Sequence, residues 1–187
     1  PVNDAPVFSA APPAVAYTEQ GTAVTVDGAL TLSDVDDTTM NSANVTIGGF
    51  VSGDLLSVDT GSTGIVANYN PATGVLTLSG AASTADYQTV LRSLTFASSS
   101  DDPTVNTSAA SRTLNYSVTD GNSDGAGAQT ATTSRALTLT PINDAPVVSN
   151  ASHNYSYTEN APAITLETGL GTTDVDDTQL VSAVVRI

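Results

Sequence analysis

The sequence predicts an all-β chain, a two-sheet β-sandwich repeated in tandem. Runs such as Ala23-Val24-Thr25-Val26, Ile65-Val66-Ala67-Asn68-Tyr69 and Gly74-Val75-Leu76-Thr77-Leu78 alternate apolar with small polar residues. A period of two with many β-branched side chains describes strands with one face in a core and the other in water. About seven to nine such runs, punctuated by Gly, Asn and Asp, fill the first 140 residues, as a sandwich requires. The tandem arrangement rests on a recurrence. Pro1-Val2-Asn3-Asp4-Ala5-Pro6-Val7 returns as Pro141-Ile142-Asn143-Asp144-Ala145-Pro146-Val147, and at that offset of 140 residues 1–47 and 141–187 agree at 23 of 47 positions. A fixed internal period implies units that stack as spacers or binding modules.

Further strands fit Asn44-Val45-Thr46-Ile47, Leu55-Leu56-Ser57-Val58, Thr113-Leu114-Asn115-Tyr116-Ser117-Val118 and Ala136-Leu137-Thr138-Leu139. Asn70-Pro71-Ala72-Thr73-Gly74 has the Pro and Gly of a tight connection, so the strands flanking it form a hairpin. One segment breaks the alternation. Ser83 can cap a helix, Asp86 follows three residues later, and Tyr87, Val90 and Leu91 share a face, which predicts one short helix near residues 84–92 packed across the sandwich. Residues 1–140 make one complete repeat, with 1–6 as its linker, and residues 141–187 supply a linker and the N-terminal third of a second. The first can bury a core and the second, alone, cannot. Pro141 and Pro146 hold the connector short and extended.

Net charge is −15, from nineteen acidic residues against Arg92, Arg112, Arg135 and Arg186, with no lysine. Thirteen acidic residues face three arginines in 1–140 and six face one in 141–187, so both copies are acidic. Such a polyanion repels nucleic acid and anionic membrane, and no apolar run approaches a membrane span. It attracts cations. Asp outnumbers Glu by sixteen to three, which suits short-armed oxygen ligands on loops. Cysteine is absent, so bracing must come from packing or hard metal ions, and an extracellular protein of this kind points to a bacterial rather than an animal source. The chain begins inside the repeated linker motif with no signal peptide, as an excerpt of a longer protein would.

Asp34-Val35-Asp36-Asp37 recurs as Asp174-Val175-Asp176-Asp177, and along an extended segment Asp34 and Asp36 would point to one side. Carboxylates that close repel unless a cation lies between them. Calcium takes about six to eight oxygens, so the rest of a site must come from elsewhere in the fold. Glu19 with Glu159, and Asn3-Asp4 with Asn143-Asp144, also repeat, whereas Asp120-Gly121 lies in the part without a second copy. Solvated turns explain one Asp-rich run; retention of all these residues in both copies favours ligands. A helix-loop-helix calcium loop fails, because its twelfth position falls on Val45 and its sixth on Thr39. Gly-rich nonapeptide calcium repeats are absent from the sequence.

Asn143-Asp144-Ala145-Pro146 resembles the calcium-binding interdomain linker of cadherins, and Tyr157-Thr158-Glu159-Asn160-Ala161-Pro162 resembles the early Glu motif of their first strand. Asp174-Val175-Asp176 resembles their Asp-x-Asp motif, and Asp120-Gly121 their late Asp-x-Gly motif. Over nearly its whole length the chain is similar to the cadherin-like tandem repeats of giant bacterial surface proteins and adhesins. That resemblance implies a cadherin-like, immunoglobulin-like β-sandwich with Ca2+ at each junction. Carried over residue by residue, the internal junction would use Glu19, Asn143, Asp144, Asp174 and Asp176. Asn3, Asp4, Asp34, Asp36 and Asp120 would serve the junction before residue 1, and Glu159 the one after residue 187. The Asp-Arg-Glu motif of animal cadherins is missing, with Asp101-Asp102 its nearest substitute, and no Pro follows Asp120-Gly121.

His153, the single histidine, aligns with Pro13, which argues against a Ser-His-Asp triad and for a surface residue. Without Cys, one imidazole gives no transition-metal cluster. Tyr17 and Tyr157 are read as packing residues, as is Tyr155. Triplets such as Asn106-Thr107-Ser108 and Asn154-Tyr155-Ser156 match a glycosylation sequon at a rate so Ser/Thr-rich a chain produces by chance. The expectation is a non-enzymatic, calcium-stiffened stalk repeat of a long extracellular, cell-surface or secreted protein. Its partners are neighbouring repeats of the same chain. The alternative is a filament or surface-layer subunit in which copies associate by strand exchange or lateral contacts. An adhesive module needs an exposed aromatic or sugar site, and none stands apart from the linkers.

Overall fold

The computed structural model describes residues 2–9, 11–122, 125–150 and 154–186; His153 lies outside them. The chain divides into two compact units, Pro1–Ile142 and Asn143–Ile187.

The first unit is an all-β sandwich. Its strands are β1 (Val7–Phe8), β2 (Val15–Thr18), β3 (Val24–Thr25), β4 (Leu32–Ser33), β5 (Thr39–Gly48), β6 (Asp54–Ser57), β7 (Val66–Asn70), β8 (Val75–Ser83), β9 (Thr95–Ser98), β10 (Ser111–Asp120) and β11 (Thr130–Thr140), with helix α1 (Thr84–Arg92) between β8 and β9. A six-stranded sheet runs in the order β2-β11-β10-β5-β8-β7, and a three-stranded sheet in the order β3-β9-β6. All pairs are antiparallel except β2 with β11, which run parallel with Val15 beside Leu137 and Thr18 beside Thr140. Alternation is why these residues pair so. Along β10, Arg112, Leu114, Tyr116 and Val118 are buried while Ser111, Thr113 and Asn115 face water.

One core joins both sheets, with Leu56 and Phe96 from the smaller meeting Leu76, Leu78, Leu114 and Leu137 from the larger. Tyr17 packs edge-on against Phe96 at 5.3 Å, and its hydroxyl donates to the Ser98 carbonyl at 2.9 Å. It thereby ties β2 to β9, the packing role expected of it. The helix does similar work between β8 and β9. Ser83 Oγ accepts from Asp86 N at 3.1 Å as its N-cap, and Tyr87, Val90 and Leu91 are buried.

Both Asn70 and Gly74 explain the β7–β8 hairpin. Gly74 N donates to Asn70 O at 3.0 Å and Ala72 N donates to the Asn70 side chain at 2.9 Å. Gly74 sits at φ +67°, and a Cβ there would lie 2.5 Å from the Phe50 ring. Gly74→Ala therefore meets both backbone strain and an aromatic clash. A loss of roughly 1–3 kcal/mol in urea unfolding is expected.

Burial raises the Tyr87 phenol to about 12, while its hydroxyl donates to the Gly80 carbonyl at 2.8 Å. The folded state thus holds this proton more tightly than the unfolded chain, whose phenol titrates near about 10. Its stabilising contribution is complete below pH ~10 and is lost as pH climbs through about 12. Urea midpoints at pH 9 and pH 11.5 test this, and Tyr87→Phe should flatten the decline.

Two buried ion pairs went unforeseen. Arg112 Nε meets Asp54 Oδ2 at 2.6 Å, and Arg135 Nε meets Asp27 Oδ2 at 2.6 Å, all four side chains being almost wholly enclosed. Arg112 also donates to the carbonyls of Pro103 and Ala109 at 2.7 Å each, pinning the loop before β10. Arg135 lies over the Tyr116 ring, 5.8 Å from its centroid.

The second unit has the ladder β12 (Val147–Ser149) with β13 (Gly171–Thr173), antiparallel. It is the counterpart of β1 with β4: Val147 pairs Thr173 as Val7 pairs Ser33. None of its described residues is buried. Tyr157, the counterpart of enclosed Tyr17, is 58% exposed.

Candidate metal centre

The Asp-rich segment is a turn rather than the extended run expected from alternation. Asp34 Oδ1 accepts from Asp36 N at 3.1 Å and from Asp37 N at 3.0 Å, because a short carboxylate satisfies its own neighbouring backbone more readily than a strand ladder does. Asp174 Oδ1 repeats both bonds, to Asp176 N at 3.4 Å and Asp177 N at 3.2 Å. This fold-back, not alternation along a strand, brings the carboxylates together.

The linker closes over each turn. Asp4 N donates to Asp36 Oδ2 at 3.1 Å, and Asp144 N to Asp176 Oδ2 at 3.0 Å. The same bond thus recurs at the same offset in both copies, beside the same short ladder.

In the first repeat the cluster has more support. Asn3 Nδ2 donates to Asp120 Oδ2 and to the Gly127 carbonyl, both at 2.9 Å. Asp120 is fully enclosed and also accepts from Asn122 N at 3.3 Å and Gln129 N at 3.0 Å. Both Asp120 oxygens are thus engaged within the protein, and its visible role is to hold Asn3. Asn3 is buried, and its Oδ1 has no hydrogen-bond partner. Gly121 N-terminal to that loop has no room for a side chain, since a Cβ would lie 2.3 Å from Thr39 Oγ1.

Glu19 lies on the first unit and accepts from Ile142 N at 2.8 Å through Oε2. It therefore grips the start of the connector, while Glu159 is exposed. Asn143 donates to the neighbouring Asp144 carbonyl at 2.8 Å. Asp102, half of the suggested substitute for the missing acidic motif, is occupied in its own loop, accepting from Thr104 Oγ1 at 3.1 Å and Asn106 N at 2.8 Å.

A cation fits these oxygens. Asn3 Oδ1 and Asp34 Oδ2 in the first copy, and Asp144 Oδ2 and Asp176 Oδ1 in the second, are oxygen atoms shielded from water without hydrogen-bond partners, although in the second copy the residues that carry them are only partly buried. Enclosed acceptors of that kind are costly unless an ion or donor meets them. Oxygens of Asp174, Asp176 and Asp177 all lie within 4.8 Å of one another. The donors are all carboxylate or amide oxygen, the preference of calcium and magnesium over softer metals.

Electrostatics agree. Burial, with Asp36 beside it, raises the Asp34 carboxyl against the lowering effect of the Asp37 and Asp36 backbone bonds. In the second copy the adjacent Asp176 side chain raises Asp174, while the Asp144 backbone bond, and then Asp174 itself, lower Asp176. Each pair sets two carboxylates side by side, and a divalent ion between them would relieve their repulsion.

One stretch of the chain is similar to halomucin. The likeness to this protein of Haloquadratum walsbyi (strain DSM 16790 / HBSQ001) is 46% identity over 91 residues, covering 46% of the chain. The chain spans only 1% of halomucin's length. No family model matches the chain.

Among the acidic residues that the sequence did not single out, Asp27 and Asp54 are buried. For these two the signal was present. Arg112 and Arg135 occupy inward positions of alternating strands, in line with Leu114 and Leu137, and a buried guanidinium needs a carboxylate. Among the described residues, no helix is long and apolar enough to cross a membrane.

Proposed function

We propose that this chain is a non-catalytic structural repeat of a long extracellular protein, in which calcium held by the linker and Asp-turn cluster stiffens the connection between successive domains. The observation that carries this reading is the duplicated cluster. The same linker-to-carboxylate bond and the same doubly bonded Asp turn appear in both copies, each with buried oxygens lacking a partner. The likeness to a stretch of a chain as long as halomucin supports a unit within an extended array.

The mechanism is electrostatic. Without a cation, Asp34 and Asp36, or Asp174 and Asp176, repel at short range, and the linker bonded to them opens more readily. With calcium, the ion bridges the turn to linker oxygens, so binding free energy adds to docking of the linker. Glu19 prepares the other end by fixing Ile142. We assign the ligand oxygens to Asn3, Asp4, Asp34 and Asp36 in the first cluster and to Asn143, Asp144, Asp174 and Asp176 in the second. Asp120 contributes by holding Asn3.

X-ray scattering of the chain in calcium and in chelator is the test. Calcium should lengthen the maximum dimension and narrow the distribution of shapes, and magnesium should do so less. Identical profiles in calcium and chelator would overturn the proposal.

A further inference from the structure

We propose that two copies of this chain associate side by side by antiparallel pairing of their β7 strands, extending the six-stranded sheet of one copy into that of the other. This inference is independent of calcium. It rests on the one long sheet edge among the described residues that lacks the usual protection and on where charge is missing.

β7 ends the six-stranded sheet, and Val66 is 63% exposed on it. An open edge offers unpaired amides and carbonyls to any strand that fits, and proteins normally blunt it with charge, proline or brevity. The other edges carry such devices. β2 follows Pro12-Pro13 and precedes Glu19, β3 has only two residues, and β6 opens on Asp54. β7, Val66-Ala67-Asn68-Tyr69-Asn70, is the longest of the four at five residues and has neither charge nor proline.

Charge decides the occupant. The whole stretch of residues 60–85 contains no Asp, Glu, Lys or Arg, in a chain of net charge −15. An identical chain is repelled from most approaches, and the β7–β8 hairpin is where it meets no carboxylate. The outer face beside this edge is equally neutral. Asn68, Asn70, Thr73, Thr77 and Ser79 line a hollow of about 670 Å³ there with Val66. A basic partner would find nothing to pair with on such a surface, whereas a second copy brings matching amides and hydroxyls.

Symmetry fixes the register. A two-fold axis through the middle of a five-residue strand sets Asn68 opposite the partner's Asn68 and Val66 opposite the partner's Asn70, keeping outward side chains on one face. A five-residue ladder is a weak contact for one pair. Copies displayed along parallel arrays would gain by multivalency.

The chain has no cysteine, so Asn68→Cys gives a clean cross-link reporter, and directly opposed strand residues fall within disulfide range. The full chain carrying Asn68→Cys is oxidised at high concentration beside Ser108→Cys, which places the thiol on an exposed loop elsewhere. Dimer formation should be at least about tenfold faster for Asn68→Cys. It should accelerate further in 0.5 M salt, which screens the remaining repulsion. Adding Val66→Lys with Asn70→Lys opposes like charges in this register and should abolish the advantage; Val66→Lys with Asn70→Glu opposes unlike charges and should restore it. Equal rates for the two cysteine positions, or equal rates for the two charge pairs, would overturn the proposal.

Discussion

Replacing Arg112 with methionine should cost about 3–5 kcal/mol of unfolding free energy, the largest effect of any single change in the first repeat. The reason is what remains. Asp54 is enclosed and its carboxylate would be left with only Val51 N, at 3.0 Å, to satisfy it. The Pro103 and Ala109 carbonyls would also lose their donor, freeing the loop that Arg112 pins. Arg112→Met combined with Asp54→Asn should be less damaging than Arg112→Met alone, because the stranded charge goes and the amide oxygen can still accept from Val51. Urea unfolding of both variants separates the cost of an uncompensated charge from that of lost bonds. A single variant within 1 kcal/mol of the parent would contradict the burial of Asp54.

Calcium should raise the melting temperature, and the variants Asp36→Asn and Asp120→Asn should fail in different ways. At a hundredfold excess over its dissociation constant, one bound ion adds about 2.7 kcal/mol. For a chain of this size, that is a rise of roughly 5–10 °C. Asp36 is exposed, and an asparagine oxygen can still accept from Asp4 N. Asp36→Asn should therefore leave the chelated protein within about 0.5 kcal/mol of the parent and lose most of the calcium shift. Asp120→Asn exchanges an enclosed acceptor for a donor among the groups that bond to it. It should lower the melting temperature in chelator as well. If Asp36→Asn keeps the full calcium shift, the ion is held elsewhere.

Much of the sandwich was legible because each strand carries its own local signal. The alternation in β8, β10 and β11 survives folding almost residue for residue, and Ser83 with Tyr87, Val90 and Leu91 is enough to specify α1. The cluster was legible for another reason: the chain contains two copies, and residues that matter to both stand out. Its geometry was not. Whether Asp34 lies on a strand or in a turn depends on a competition between ladder bonds and its own backbone, and period-two reasoning resolves that in favour of the strand. Asp120 shows a different limit. Its sequence neighbours mark it as important, but only the fold reveals that its oxygens accept from Asn3, Asn122 and Gln129. The arginine pairs are long-range, separated by 58 and 108 residues, so no local pattern could assign the partners.

The parallel pairing of β2 with β11 has a consequence for load. Tension between the Pro12-Pro13 segment and the end of β11 pulls two parallel neighbours in opposite directions along their length. The bonds between Val15–Thr18 and Leu137–Thr140 are then strained together in shear, not peeled one at a time. Rupture would demand the near-simultaneous failure of the ladder and withdrawal of Tyr17 from its seat against Phe96. The repeat is thus built so that its first long strand and its last act as a mechanical clasp, placed where a pulled chain would otherwise begin to unravel.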